Sequence, residues 1–316
     1  MVKHKAGVSE AAAGEPQFVE MLRRRAAIPR GSSVVLGIGD DCAIVRPRGS
    51  REDLLYTTDM LIEGTHFLRA THRPEDAGWK ALARGLSDIA AMGGSPQFCL
   101  VSLALAGWTT GYWVERFYDG LLALAAQTGV ALIGGDLAAT DRLICDVVVT
   151  GTVPRGQALR RDGARAGDAI YVSGKLGGSA RGLETHRGAA WQRHKRPEPR
   201  LALGRLLRER IGATAAMDLS DGLSLDLHRL CAASGLRAEI EAPPLYPGAT
   251  LQQALHGGED YELLFTAPSD TRVPRSFRGL PLTRIGVMRA GRPGCVDLDG
   301  QELPRGGWDH LSHRDR

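Results

Sequence analysis

The sequence predicts a two-domain α/β fold with α+β character, and three observations carry that prediction. The chain has 316 residues with 43% hydrophobic composition, enough for a substantial core and two domains. Strand-like and helix-like segments interleave in both halves, and the first half closes at Pro154. Glycine is abundant, at 40 residues without any collagen-like period, which favours tight turns and close backbone approaches. The predicted division is a loose arm over residues 1–16, a first α/β domain over 17–155 and a second over 156–316.

Several function classes are excluded by composition. The net charge of +4 is small and dispersed, so no nucleic-acid partner is expected. Basic residues are nearly all Arg; the lysines are Lys3, Lys5, Lys80, Lys175 and Lys195. Cys42, Cys99, Cys145, Cys231 and Cys295 form no CxxC pair, which argues against a disulfide framework or a zinc site. No apolar run approaches the ~20 residues of a membrane span, and Met1 to Pro16 lacks a signal-peptide core. A cytoplasmic enzyme without a membrane partner is expected.

The elements follow in order. Residues 18–27 have apolar residues at helical spacing. Residues 34–36 and 43–45 read as strands joined by the tight Gly37–Asp41 turn. Residues 53–59 form a strand ending in Thr57, Thr58 and Asp59, and 60–67 a loop or strand with Glu63 and His66. Pro74 to Met92 is a helix: Pro74 suits its first turn, Glu75 and Asp76 its positive end, and Gly93-Gly94 stops it. Trp79, Leu82, Leu86 and Ile89 make its buried stripe. Asp88, near its C-terminus, opposes the dipole and requires compensation.

Strand 96–105, helix 111–128, strand 131–133 running into Gly134-Gly135-Asp136, and strand 143–153 complete the first half. The second half begins with strand 169–173 and the glycine-rich stretch 174–180 leading into a helix. Residues 186–200 are expected as a basic surface loop, and 200–209 as a helix. The segment 217–222 precedes a helix over 223–234 with Ser220 or Asp221 as its N-cap. Strand 236–240, helix 251–255 and strand 263–266 follow, the last preceded by His256 to Glu262.

Acidic residues recur beside Gly, Ser or Thr at predicted element ends: Asp40/Asp41, Asp59, Asp88, Asp136, Asp218/Asp221 and Glu259/Asp260. Ligands of α/β folds sit at strand ends. Any one of these could be a turn or cap residue. Convergence of several would demand hard cations, and carboxylates with a Thr hydroxyl and phosphate oxygens form a magnesium ligand set. The P-loop, the dinucleotide fingerprint, HExxH, GxSxG and the protein-kinase signatures are all absent.

The motifs that are present resemble the thiamine-monophosphate kinase family of the aminoimidazole-ribonucleotide-synthetase-like superfamily, from about residue 30 to about residue 310. They are GIGDDCA (37–43), TTDMLIEGTHF (57–67), WKALARGLSDIAAMGGSP (79–96), IGGD (133–136), GTVPRGQALRRDGARAGDAIYVSG (151–174), MDLSDGLSLDL (217–227), GGEDYELLFT (257–266), IGVM (285–288) and GWDHL (307–311). GKLGGSARGL (174–183) departs slightly, with Arg181 where a small residue is commoner, and the arm 1–16 has no counterpart.

The resemblance implies a PurM-like fold whose N-terminal sheets form a barrel across a homodimer, and ATP-dependent phosphorylation of thiamine monophosphate. It implies magnesium held by Asp41, Thr57, Thr58, Asp59, Asp88, Asp136 and Asp218, with Asp221 binding a further ion. ATP would meet Gly135, Asp136, Arg161 and Ser220, with Tyr118 near its base; thiamine would meet His66, Glu259 and Trp308. The residues themselves leave alternatives open. Arg161 offers a phosphate-binding fork or is an ordinary surface arginine. Trp308 offers a face to a cation or is a hydrophobic plug. His66 could be a satisfied polar residue at a strand end, and Asp260 only a cap.

A phosphate monoester is largely dianionic at neutral pH, its second pKa being ~6, so the acceptor needs no general base. Metal neutralisation and in-line positioning would then carry catalysis. A sister enzyme resembling aminoimidazole ribonucleotide synthetase, or a non-catalytic nucleotide-binding protein, are the alternatives. Residues 1–30 hold no Cys of the selenophosphate-synthetase kind, and the final residues none of the hydrogenase-maturation kind.

Overall fold

The computed structural model describes residues 15–26, 28–29 and 31–309. The expected arm lies outside these as far as residue 14, while Glu15 and Pro16 already belong to helix α1, Glu15–Arg25. Of the closing GWDHL block, residues 310 and 311 lie outside the description.

Short strands β1 (Val34–Leu36) and β2 (Ala43–Val45) flank the Gly37–Asp41 turn. Strand β3 runs Glu52–Ile62, α2 Pro74–Ala91, β4 Ser95–Ala106, α3 Gly111–Thr128, β5 Ala131–Thr140 and β6 Ile144–Pro154. The strands form one sheet in the order β1-β2-β3-β6-β4-β5, antiparallel except for the parallel β4–β5 pair. Two expectations are corrected. Asp59 does not end its strand, which continues to Ile62, and Gly134-Gly135-Asp136 lie inside β5. Ladder pairing of Asp59 with Val147 and of Asp136 with Ser102 extends both strands past the glycines and hydroxyls read as breaks.

Helix α2 is central to the fold. Leu82, Leu86 and Ile89 are fully buried as predicted, but so are Ala77, Lys80, Ser87 and Ala90. The helix is enclosed because α3 lies on one side, the sheet on another and the second half of the chain on a third. A Cβ at Gly78 would stand 1.8 Å from the carbonyl oxygen of Phe117, and one at Gly120 1.9 Å from that of Glu75. The α2–α3 crossing therefore requires glycine on both helices. Asp76 and Glu75 in the first turn face the positive end of the dipole; Asp76 also pairs with Lys195 at 2.7 Å.

The second half comprises β7 (Ala169–Ser173), α4 (Gly178–Thr185), α5 (Gly188–Lys195), α6 (Leu201–Leu206), β8 (Ala215–Asp218), α7 (Leu223–Ala233), β9 (Arg237–Ile240), α8 (Leu251–His256), β10 (Leu263–Ala267), β11 (Ser276–Phe277), β12 (Leu280–Arg289), β13 (Val296–Leu298) and β14 (Gln301–Glu302). Its sheet runs β14-β13-β9-β12-β7-β10-β8, with β11 paired to β12. Alternation along β10 feeds two cores: Leu263 and Phe265 pack into the core of the first half, Leu264 into a second core beneath α7. The first core thus continues across residue 155. Both sheets are open within the chain.

The expected loop 186–200 is instead largely helical. Trp191 and His194 of α5 are buried, with Trp191 4.9 Å from His72 between ring centroids. Arg193, Lys195, Arg196 and Arg200 there serve as ion-pair partners, so basicity was a poor guide to exposure. The N-cap of α7 is Gly222, not Ser220 or Asp221; Asp226, in the first turn, accepts from the Asp221 and Gly222 amides at 3.1 Å each. None of the helices among the described residues is long and apolar enough to cross a membrane, and the five cysteines are free.

Candidate active site

Three segments far apart in sequence bring carboxylates together. Asp41 follows the Gly37–Asp40 turn, Asp88 lies on α2 and Asp218 ends β8. One ligand oxygen of each lies within 4.8 Å of the others. The hydroxyl of Thr57 donates to Asp88, and Ser87 Oγ donates to Asp218 Oδ2 at 2.6 Å. Asp41 is 7% exposed and Asp218 3%, so water does little to screen their charges.

Electrostatics follow from this crowding. Burial, then the charges of Asp59, Asp218 and Asp41, push the Asp88 carboxyl well above its ordinary range. Burial and Asp41 do the same to Asp218, and burial with Asp41 raises Asp40 to about 7. Neighbouring carboxylates that cannot ionise together are relieved by a proton or a cation. The donors are hard oxygens, from three carboxylates and the Thr57 hydroxyl. The adjacent Cys42 thiol is pushed upward by burial and by the same carboxylates, and so remains a thiol. The set fits magnesium.

Arginines occupy part of this acidic neighbourhood. Arg161 donates from Nη2 to Asp41 Oδ1 at 2.6 Å, and its backbone amide donates to Asp40 Oδ2 at 3.1 Å. Arg84 Nη2 donates to Asp59 Oδ1 at 3.1 Å. Arg229 pairs with Asp221 and, at 3.1 Å, with Asp226.

Asp88 and Asp218 of the cluster line a cavity of about 260 Å³. Its lining also includes the metal candidates Asp59 and Asp221, the thiamine candidates His66, Glu259 and Trp308, and Ser220. Backbone hydrogen bonds join Glu259 and Trp308 to the 219–221 loop. The Glu259 amide donates to the Ser220 carbonyl at 2.6 Å and the Tyr261 amide to the Leu219 carbonyl at 2.9 Å. Glu259 (φ 54°) and Tyr261 (φ 49°) both adopt the left-handed region, a local strain held by these clamps. Burial would raise the Glu259 pKa, but Lys80, His194 and Arg84 outweigh it and hold it at about 2. The Trp308 amide donates to the Asp221 carbonyl at 3.0 Å, presenting an indole that is 38% exposed.

The remaining predicted residues are elsewhere in the chain. Thr58 alternates with Thr57 and so projects from the opposite face of the sheet, where it donates to Asp146 Oδ1 at 2.7 Å. Asp136 is exposed on edge strand β5. Gly135 beside it is held by packing: a Cβ there would stand 1.9 Å from the Val101 carbonyl oxygen. Tyr118 packs on Phe117 against the first core. None of these four lines the cavity. Asp260 is a buried cap, accepting from the Gly177 and Ser179 amides at 2.6 and 3.1 Å.

Sequence reasoning missed Lys80, Arg84 and Ser87. Lys80 is fully buried, with Nζ 2.8 Å from Glu259 Oε1, and donates to the His66 carbonyl at 2.9 Å. Lys80, Arg84 and Asp88 stand four residues apart, a charged stripe along an otherwise apolar helix. That spacing was the available signal.

Comparison with known protein families gives two matching stretches. Residues 39–153 match the N-terminal domain of AIR synthase related proteins, and residues 165–296 the C-terminal domain. A thiamine-monophosphate kinase of Salmonella typhimurium is 40% identical over 301 residues, covering 87% of this chain and 88% of that protein. One from Bacillus subtilis is 37% identical, covering 89% and 94%. The solved structure described as AaThiL complexed with AMPPCP and TMP superposes with a TM-score of 0.84 at 34% identity, covering 98% of this chain and all of that one. The chain belongs to the thiamine-monophosphate kinase family of AIR-synthase-related proteins.

Proposed function

We propose that the cavity is where a phosphoryl group passes directly from ATP to the phosphate of thiamine monophosphate, yielding ADP and thiamine diphosphate. The observation that carries this reading is the convergence of Asp41, Asp88 and Asp218 within 4.8 Å beside a cavity that Glu259 and Trp308 also line. The carboxylates suit cations that bind phosphates; Glu259 and Trp308 suit a cationic ring. Family membership and the related structure with AMPPCP and TMP support the choice of substrates.

Magnesium would be held by Asp41, Asp88 and Asp218 with Thr57, and by Asp59 and Asp221 at the cavity edge. Bound there, it would neutralise phosphate charge that these carboxylates otherwise repel. Thr57 and Ser87 orient the carboxylates by donating to them. Arg161, in contact with Asp41, is placed to turn its fork toward a nucleotide phosphate, with Ser220 contributing beside it. Glu259, kept ionised by Lys80, and the Trp308 face would hold the thiazolium, with His66 completing that set. No side chain needs to remove a proton from the acceptor, since a phosphate monoester is already mostly ionised at pH 7.

We propose a homodimer in which the open N-terminal sheet is closed by its copy. Met60 on β3 is 48% exposed, and Ile133 and Leu137 on edge strand β5 are 57% and 65% exposed, apolar groups that pairing would cover. Thr58, Gly135, Asp136 and Tyr118 would act on nucleotide or metal at a site completed in the dimer, and the predicted residue-155 boundary would separate the dimerising part from the rest. The chain is proposed to act in the cytoplasm.

The test is phosphoryl transfer from ATP to thiamine monophosphate with and without EDTA. EDTA-sensitive production of thiamine diphosphate and ADP in equal amounts is expected. ADP without thiamine diphosphate would assign the scaffold another acceptor, and sedimentation as a monomer at micromolar concentration would remove the dimer.

A further inference from the structure

We infer that Arg84 is a binding residue for the acceptor's phosphate, and that it makes the cavity select a phosphorylated ligand over the free alcohol. The inference rests on reading this cavity as the phosphoryl-transfer site. Asp59, Asp88, Asp218, Asp221 and Glu259 all line the cavity, and Arg84 is the sole Arg or Lys among the lining residues described. A dianion entering such a space meets repulsion from every one of these carboxylates. A resident guanidinium offsets part of that before any ion arrives.

Donor accounting leaves Arg84 with capacity to spare. Nε and Nη2 donate to Asp59 Oδ1 at 3.4 and 3.1 Å. Nη1 lies 3.8 Å from Glu259 Oε1, beyond hydrogen-bond reach, and that oxygen is already 2.8 Å from Lys80 Nζ. A guanidinium carries five N–H donors in a planar fork, so N–H groups on Nη1 remain for a ligand. Neutralising Glu259 therefore falls mainly to Lys80, which is wholly buried and cannot reach the cavity. Arg84 stands between the metal candidate Asp59 and the ring-binding candidate Glu259. A ligand with its ring on Trp308 and Glu259 would place its phosphate at this junction.

The experiment is calorimetric binding of thiamine monophosphate and of thiamine, in magnesium buffer without nucleotide, to wild type, Arg84→Gln and Arg84→Lys. Loss of one or two charge-assisted hydrogen bonds should weaken thiamine monophosphate binding by about 10- to 100-fold in Arg84→Gln, with thiamine changed less than about 2-fold. Arg84→Lys, which keeps the charge but loses the fork, should fall between them. If Arg84→Gln does not fold, the same ratio is read from Arg84→Lys. Unchanged thiamine monophosphate affinity, or equal weakening of both ligands, would reduce Arg84 to a prop for Asp59 and Glu259 and overturn the inference. A wild-type chain that binds neither ligand would instead overturn the functional reading.

Discussion

Buried acidic groups of two kinds behave in opposite ways. Glu262 is fully buried, yet Arg193 and Arg200 stand 2.8 and 2.7 Å away and Ser173 donates to it. Burial alone would raise its pKa; these partners lower it instead. Asp218 is also buried and Asp88 partly so, but their partners are hydroxyls and other carboxylates, and their pKa values rise. Glu262 belongs to a scaffold that is complete within the chain. The Asp41/Asp88/Asp218 cluster has one resident cation, Arg161 on Asp41, and on the proposed reading is completed by magnesium. Unmatched charge, more than burial or acidity, separates site from scaffold.

The contrast can be broken at either end. Glu262→Gln should cost about 3–5 kcal/mol of stability by stranding Arg193 and Arg200. Urea unfolding would show this, while the folded fraction keeps its KM for both substrates. Asp218→Asn should do the reverse: turnover falls about 10²–10³-fold, as when one electrostatic contributor to a transition state is removed, with no loss of stability. Steady-state rates at saturating magnesium measure this, and near-normal turnover would remove Asp218 from the site.

A smaller effect sharpens the scaffold side. Burial, and secondarily Lys80, lower the His72 pKa from 6.5 to about 4. The unfolded chain then binds more protons than the native one between these values. His72 contributes stability above pH 6.5 that is lost progressively as pH falls toward 4, on the order of 1–3 kcal/mol. His72→Asn should flatten the stability–pH curve in that window; an unchanged slope would mean that His72 is not the titrating group.

Much of this was legible in the sequence because it was local. Strands 34–36, 43–45 and 169–173 and helix 111–128 agree to the residue, since flanking glycines, Thr110 and Gly129 mark the ends. What failed was long-range. The α5 segment looked solvated because its Arg and Lys residues are near one another in sequence, whereas Asp76, their partner, is more than a hundred residues away. Acidic positions were recognisable as a set through their Gly, Ser and Thr neighbours. Which of them converge was not, because Thr57 and Thr58 differ only in strand phase. Glu259, Asp260 and Glu262 share one motif, yet one lines the cavity, one caps a turn and one anchors arginines. Only packing distinguishes them.

The most direct test of the incomplete-cluster account is the thermal midpoint of wild type and Asp88→Asn, each in EDTA and in saturating magnesium without nucleotide. In EDTA the variant should melt above wild type, because one of three mutually repelling carboxylates has been neutralised. Magnesium should raise the wild-type midpoint, by an amount equivalent to about 2.7 kcal/mol at a hundredfold excess over Kd, and should leave the variant nearly unmoved. Equal magnesium shifts in both proteins, or a variant that melts below wild type in EDTA, would contradict the claim that these carboxylates await a cation.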